Sequence, residues 1–194
     1  MKLYIKSISI LIFAILFAGC SFKQDLVEQN KYSINFSTNK VEVSKKVDSI
    51  FIEEPNVNKS FNQTAILYSN KEFLFEEYAK NRWISSPSNM IYNQLIDSFN
   101  SSNIFKNIIS KDKRIEYKYL LRSEVLKLYQ VFEEDSSYAV IKVNFYFIEN
   151  NKTIKTYNFD KKIICEENSA YGFVKAVNIG FEEIINSLIE DIKL

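Results

Sequence analysis

The chain has 194 residues with 25 basic and 24 acidic side chains, a net charge of +1, and a composition that is 46% apolar and 15% aromatic. This balance excludes a disordered chain, and it offers no basic face broad enough for nucleic acid: Lys45-Lys46 and Lys161-Lys162 read as solvated strand edges. The absence of histidine removes the commonest general base and the commonest metal ligand.

The first elements in chain order form a leader. Lys2 and Lys6 make a short positive region, and Ile8 to Ala18 is a predominantly apolar run of 11 residues, the length of a signal-peptide core and too short to span a bilayer. It ends in Phe17-Ala18-Gly19-Cys20, which resembles the lipobox of bacterial lipoproteins. Residues 1–19 are therefore expected to be removed, and Cys20 to receive diacylglycerol as a thioether and acyl chains such as palmitate. Two or three chains, at roughly 0.8 kcal/mol per buried methylene, make such an anchor effectively permanent. Ser21 stands where an aspartate would signal inner-membrane retention, so an outer-membrane lipoprotein facing the periplasm is expected.

Loss of Lys2 and Lys6 turns the charge from +1 to −1 and leaves 175 residues, enough for one domain with a core. With Cys20 alkylated, Cys165 has no partner; within Ile163-Ile164-Cys165 it reads as a buried, inert thiol. Only Gly172 and Gly180 remain, which excludes a glycine-rich phosphate loop or dinucleotide fingerprint. Carboxylate pairs such as Glu53-Glu54, Glu76-Glu77 and Glu133-Glu134 are adjacent residues, which point to opposite faces of a strand and make poor acid/base couples. No cofactor or metal site is legible, and an enzyme is not expected.

Residues 20–31 read as a lipidated cysteine and polar tether, and 32–194 as the folded domain. Short strands are expected at Tyr32–Phe36, Val47–Ile52, Ala65–Tyr68 and Phe73–Tyr78, with Pro55 and its Asn-rich surroundings breaking the second from the third. Ser86-Pro87 opens a helix with the stripe Ile91, Leu95, Ile96 and Phe99, ended by Asn100 to Asn103. A short strand at Phe105–Ile109 precedes a three-stranded meander. In its first strand Tyr117, Tyr119 and Leu121 share a face; Leu126 and Leu128 fall in the opposite phase, so a bulge between 122 and 125 is expected. Ala139, Ile141, Val143, Phe145 and Phe147 mark the second strand. After Glu149-Asn150-Asn151-Lys152, Tyr157, Phe159, Ile163 and Cys165 mark the third. Ser169 then caps a long helix with the stripe Val174, Val177, Phe181, Ile184, Ile185, Leu188 and Ile192. The expected fold is a two-layer α+β sandwich: a mixed, largely antiparallel sheet and two amphipathic helices.

This order resembles the ABC-type transport auxiliary lipoproteins, the PqiC-like companions of MCE-domain lipid transporters. The resemblance begins at Tyr32-Ser33-Ile34, is strongest at Tyr78-Ala79-Lys80-Asn81-Arg82-Trp83 followed by Pro87 and the helix containing Leu95, and covers roughly 32–194. It implies an accessory, non-enzymatic role in moving phospholipid or other hydrophobic molecules across the envelope. The partners would be an MCE-domain protein and, through it, an ABC permease and ATPase. Tyr78, Arg82 and Trp83 are the candidate partner-binding residues, since Tyr, Arg and Trp are enriched at interface hot spots; Trp83 serves equally as a core aromatic if it packs inward while Arg82 points out. A stand-alone assembly or structural lipoprotein and a periplasmic lipid carrier remain as rivals, and the oligomeric state, a homo-oligomer included, is open.

Overall fold

The computed structural model describes residues 28–40 and 46–192; the leader, Cys20 and the first part of the tether lie outside the described residues. In chain order the strands are β1 (Asn30–Tyr32), β2 (Ile50–Ile52), β3 (Asn56–Val57), β4 (Ala65–Lys71) and β5 (Leu74–Trp83). Helix α1 (Pro87–Ser102) and β6 (Ile108–Ile109) follow, then β7 (Tyr119–Glu133), β8 (Ser136–Glu149), β9 (Lys152–Ile164) and helix α2 (Ala170–Ile192). They build the expected two-layer α+β sandwich. Helix α1 packs on β2, β3 and β6, α2 packs on β8 and β9, and the helices touch each other.

The meander β7–β9 is the frame. β7 and β8 pair antiparallel from Tyr119–Glu149 to Glu133–Ser136, and β9 continues the ladder. The β8–β9 turn places Asn150 and Asn151 at φ 50° and 60°, the left-handed pair that a two-residue hairpin requires and asparagine tolerates. On its other edge β7 receives three short strands in sequence, all parallel to it: β2 beside Tyr119–Leu121, β3 beside Glu124–Val125 and β4 beside Gln130–Val131. β6 pairs beyond β2, while β5 and then β1 extend the sheet beyond β4.

The inward residues expected of β8 are all at 2% exposure or less, and those of α2 at 6% or less. Between the layers Phe99, Phe145, Phe173 and Phe181 are essentially sealed. Ser169 caps α2 as expected, its hydroxyl accepting a hydrogen bond from the Gly172 N–H at 3.1 Å. Ser86 sits at the N-cap of α1 but does not cap through its side chain; the Ser88 N–H donates instead to Asn62 Oδ1 at 3.0 Å. Asn103, at φ 58°, ends α1.

Four expectations are corrected. The β7 bulge falls at Leu126 rather than between 122 and 125. Inward phase continues through Ser123 (1% exposed) to Val125, so a small hydroxyl that hydropathy does not count holds the pattern, and Leu126 is extruded to 36% exposure. Pro55 does not leave a plain loop, because Asn56–Val57 resumes pairing as β3. Residues 30 and 31, assigned to the tether, belong to β1. Beyond Tyr32 the expected strand is an extended strap held by amide side chains: the Asn35 N–H donates to Asn178 Oδ1 at 2.6 Å, the Phe36 N–H to Gln94 Oε1 at 3.0 Å and the Asn39 N–H to Asn186 Oδ1 at 3.0 Å. Ile34 (2% exposed) is buried and Phe36, which stacks 6.4 Å from Phe181, is partly buried, the alternation a strand would give, with helix side chains supplying the hydrogen bonds.

Candidate interaction surface

The motif Tyr78 to Trp83 occupies the end of β5, beside β1, with Lys31 opposite Arg82 and Tyr32 opposite Trp83. Strand alternation divides its side chains. Trp83 is 3% exposed and packs 6.0 Å from the ring of Phe173 on α2. It is thus a core residue, and its assignment to a contact surface is corrected: an indole with almost no accessible area has nothing to offer a partner. Arg82 points the other way. Its guanidinium donates to the carbonyls of Tyr78 and Asn81 and lies 3.4 Å from the Glu77 carboxylate, with 23% of the arginine side chain exposed. Tyr78 is half-buried; its hydroxyl donates to Gln130 Oε1 at 2.6 Å, and burial raises the phenol above its ordinary pKa.

At the other end of β5 lies a surface that the sequence reading missed. Lys71 pairs with Leu74, so Glu72 and Phe73 form the β4–β5 turn. Phe73 takes φ 66° and is 91% exposed, and beside it Leu74 and Phe75 are 44% and 47% exposed. Phe75 meets Tyr129 edge-on at 5.0 Å, Tyr129 stacks on Phe61 at 5.7 Å, and the cluster borders an open groove of about 730 Å³ that also touches Leu126 and Phe132. A signal was present: Phe73-Leu74-Phe75 is a consecutive apolar run immediately after the polar Ser69-Asn70-Lys71-Glu72. A strand with one buried face cannot hide neighbouring residues, so part of the run had to be exposed.

Elsewhere Glu53 joins two basic side chains. Burial pushes the Glu53 carboxyl up, but hydrogen bonds from Arg122 at 2.8 Å and Lys113 at 2.6 Å outweigh it and hold the carboxyl below its ordinary range. Cys165 is buried and free; burial raises its thiol pKa, and contacts with Ser137 and Gln130 offset this only in part. Among the described residues no cluster of three or more acidic or cysteine side chains could hold a metal, and no helix is long and apolar enough to cross a membrane.

No family model matches the chain, and no curated protein matches it at a significant level. Solved structures do share its fold. The crystal structure of protein XCC0632 from Xanthomonas campestris, described as DUF330, superposes with a TM-score of 0.73 at 11% identity, over 82% of this chain and 92% of its own. An uncharacterized protein superposes with a TM-score of 0.67 at 13% identity, over 85% of this chain and 99% of its own. At such identities the likeness is one of fold: almost the whole described sandwich recurs in both.

Proposed function

We propose that this chain is a bacterial envelope lipoprotein, anchored through Cys20 in the outer membrane and facing the periplasm. In this reading it serves, without catalysis, as the accessory component of an MCE-type ABC system for phospholipid or another hydrophobic molecule. It would tether and dock the MCE-domain protein, which connects it to the permease and ATPase. The leader with Phe17-Ala18-Gly19-Cys20 supports the anchor, and the fold shared with the DUF330 structure agrees with the α+β sandwich that this reading requires. The observation carrying the docking role is the division of the motif on β5, with Trp83 fixed inward on Phe173 and Arg82 held at the surface.

The carrier reading is less favoured by one observation. The space between sheet and helices is filled by Phe99, Phe145, Phe173 and Phe181, each at 1% exposure or less, so an acyl chain would have to displace close-packed aromatics. Two measurements test the proposal. Radiolabelled palmitate should enter the wild-type chain and not Cys20→Ser, whose hydroxyl cannot form the thioether; equal labelling of both would remove the anchor. Purification of the native lipoprotein with mass spectrometry of bound proteins should recover an MCE-domain protein, and its consistent absence would leave a stand-alone envelope role.

A further inference from the structure

We infer that the β4–β5 hairpin tip is a membrane-contacting element, with Phe73 and Leu74 entering the interface of the bilayer that holds the lipid anchor; this rests on the lipoprotein reading above. The first observation is conformational. Phe73 adopts φ 66°, and among the described residues three of the four other non-glycine residues with positive φ are asparagines: Asn103, Asn150 and Asn151. Asparagine or glycine suits that geometry, whereas a bulky side chain is strained there, and such strain marks positions held for a purpose other than folding. Phenylalanine at 91% exposure contributes little packing in return.

The second observation concerns where the anchor leaves. β1 runs parallel to β5, with Asn30 opposite Asn81, so the chain enters Asn30 from the side of the Leu74 end of β5. From the level of Ala65 to the tip at Lys71 is six strand steps, about 20 Å. Ten residue steps separate Cys20 from Asn30 and can reach up to about 35 Å. An anchor at Cys20 is therefore within reach of the plane of the tip.

Local charge decides the kind of surface. Because β4 is parallel to β7, the tip sits at the same end as the β7–β8 turn, with Glu133, Glu134 and Asp135, and Glu72 adds a fourth carboxylate; against these stand Lys71, Lys127 and Lys162, the last paired with Glu133. This slightly acidic balance gives an anionic lipid surface no basic patch to bind. A zwitterionic one accepts an aromatic wedge with acidic neighbours left in the headgroup water.

The test uses the mature lipoprotein reconstituted in vesicles of phosphatidylethanolamine and phosphatidylcholine. A polarity-sensitive dye is placed at Glu72→Cys or, at the opposite end of the sheet, at Lys152→Cys; Cys165 is buried, which confines labelling to the new thiol. Quenchers carried on lipid acyl chains should dim and blue-shift the tip dye while leaving the dye at 152 unchanged. Anionic lipid should not strengthen the effect, and Phe73→Asn with Leu74→Ser should abolish it. Phe73→Asn should fold with an unchanged or raised melting temperature because it relieves the left-handed strain, so loss of quenching cannot be ascribed to unfolding. Palmitate incorporation is measured on the same samples. Palmitate present with an unquenched tip overturns this inference and spares the anchor; absence of palmitate overturns both. A blue shift in detergent that grows with protein concentration assigns the patch to a second copy of the chain instead.

Discussion

Tyr78 donates a 2.6 Å hydrogen bond to the side-chain oxygen of Gln130, a residue with no exposed surface on the inward face of β7. The Gln130 amide nitrogen in turn donates to Ser137 Oγ at 2.8 Å and to the Ser169 carbonyl at 3.4 Å. The phenol is thus the outer end of a polar chain joining β5 to β7, β8 and the start of α2. A residue named for docking is also a fastening of the fold, and the two roles separate by measurement.

Tyr78→Phe keeps the ring, which lies 4.7 Å from Tyr68, and deletes only the donor. Gln130 Oε1 is then buried without its partner, at a cost of about 1–3 kcal/mol. The urea midpoint should fall with an unchanged slope. An unchanged midpoint would show that Gln130 finds another donor and that the chain of bonds is dispensable.

Stability should pass through a maximum with pH, and its two limbs have named causes. Glu53 has its carboxyl pKa lowered in the fold, so it stabilises above the unfolded carboxyl value of about 4.3 and loses that contribution as pH falls through the folded value. Cys165 and Tyr78 have raised values. Their contribution is fully present below the unfolded values, about 8.5 and 10, and is lost as pH rises beyond them. Thermal melts from pH 3 to 10 should decline at both ends, and Cys165→Ala should flatten the onset above about 8.5. If that variant declines as steeply as wild type over this range, the thiol is not a source of the alkaline limb.

Two positions on α2 test its docking. Phe181 is fully buried and stacks on Phe36, so Phe181→Ala should cost about 3–5 kcal/mol, a large part of an ordinary domain's stability. At Gly172 a Cβ would stand 2.1 Å from the Glu167 backbone oxygen, an atom that cannot swing aside as a side chain could. Gly172→Ala should therefore destabilise more than the usual helix-favouring gain of about 1 kcal/mol from glycine to alanine. A rise in melting temperature with this variant would mean that the loop before α2 yields.

The parts of the fold legible in the sequence are those governed by long periodic burial. Five inward residues of β8 and seven of α2 follow the periods of strand and helix, and each lies in the core. Legibility ended where hydrogen bonds came from outside the element. The strap from Ser33 to Asn39 looks like a strand by burial, but its amide partners are Gln94, Asn178 and Asn186, distant in sequence and unmarked by any period. The inward register at Ser123 was hidden because a buried hydroxyl resembles a solvent residue. The site divided similarly: the opposed directions of Arg82 and Trp83 follow from strand alternation, whereas the prominence of Phe73 depends on its falling in a turn rather than at a strand's start.

Arg82 is where the fold and the proposed docking role are most closely joined. The free-domain cost of Arg82→Ala has two parts: a partly exposed pair with Glu77 at 3.4 Å, and donation to the carbonyls of Tyr78 and Asn81. Exposed pairs contribute about 0–1 kcal/mol, so the melting temperature should fall only slightly. Binding of the full lipoprotein to an MCE-domain partner should weaken by about 2 kcal/mol or more, roughly thirtyfold, if the guanidinium is a hot spot. Lysine should restore this in part, because it returns the charge without the planar donor set. Glu77→Gln supplies the control: it releases Arg82 from its ion pair, so binding should hold or tighten while stability drops no further than in the alanine variant. Equal losses of binding in Glu77→Gln and Arg82→Ala would instead make the ion pair itself the requirement, with Arg82 acting through the shape of β5. Unchanged binding in Arg82→Ala would take the residue out of the docking surface altogether.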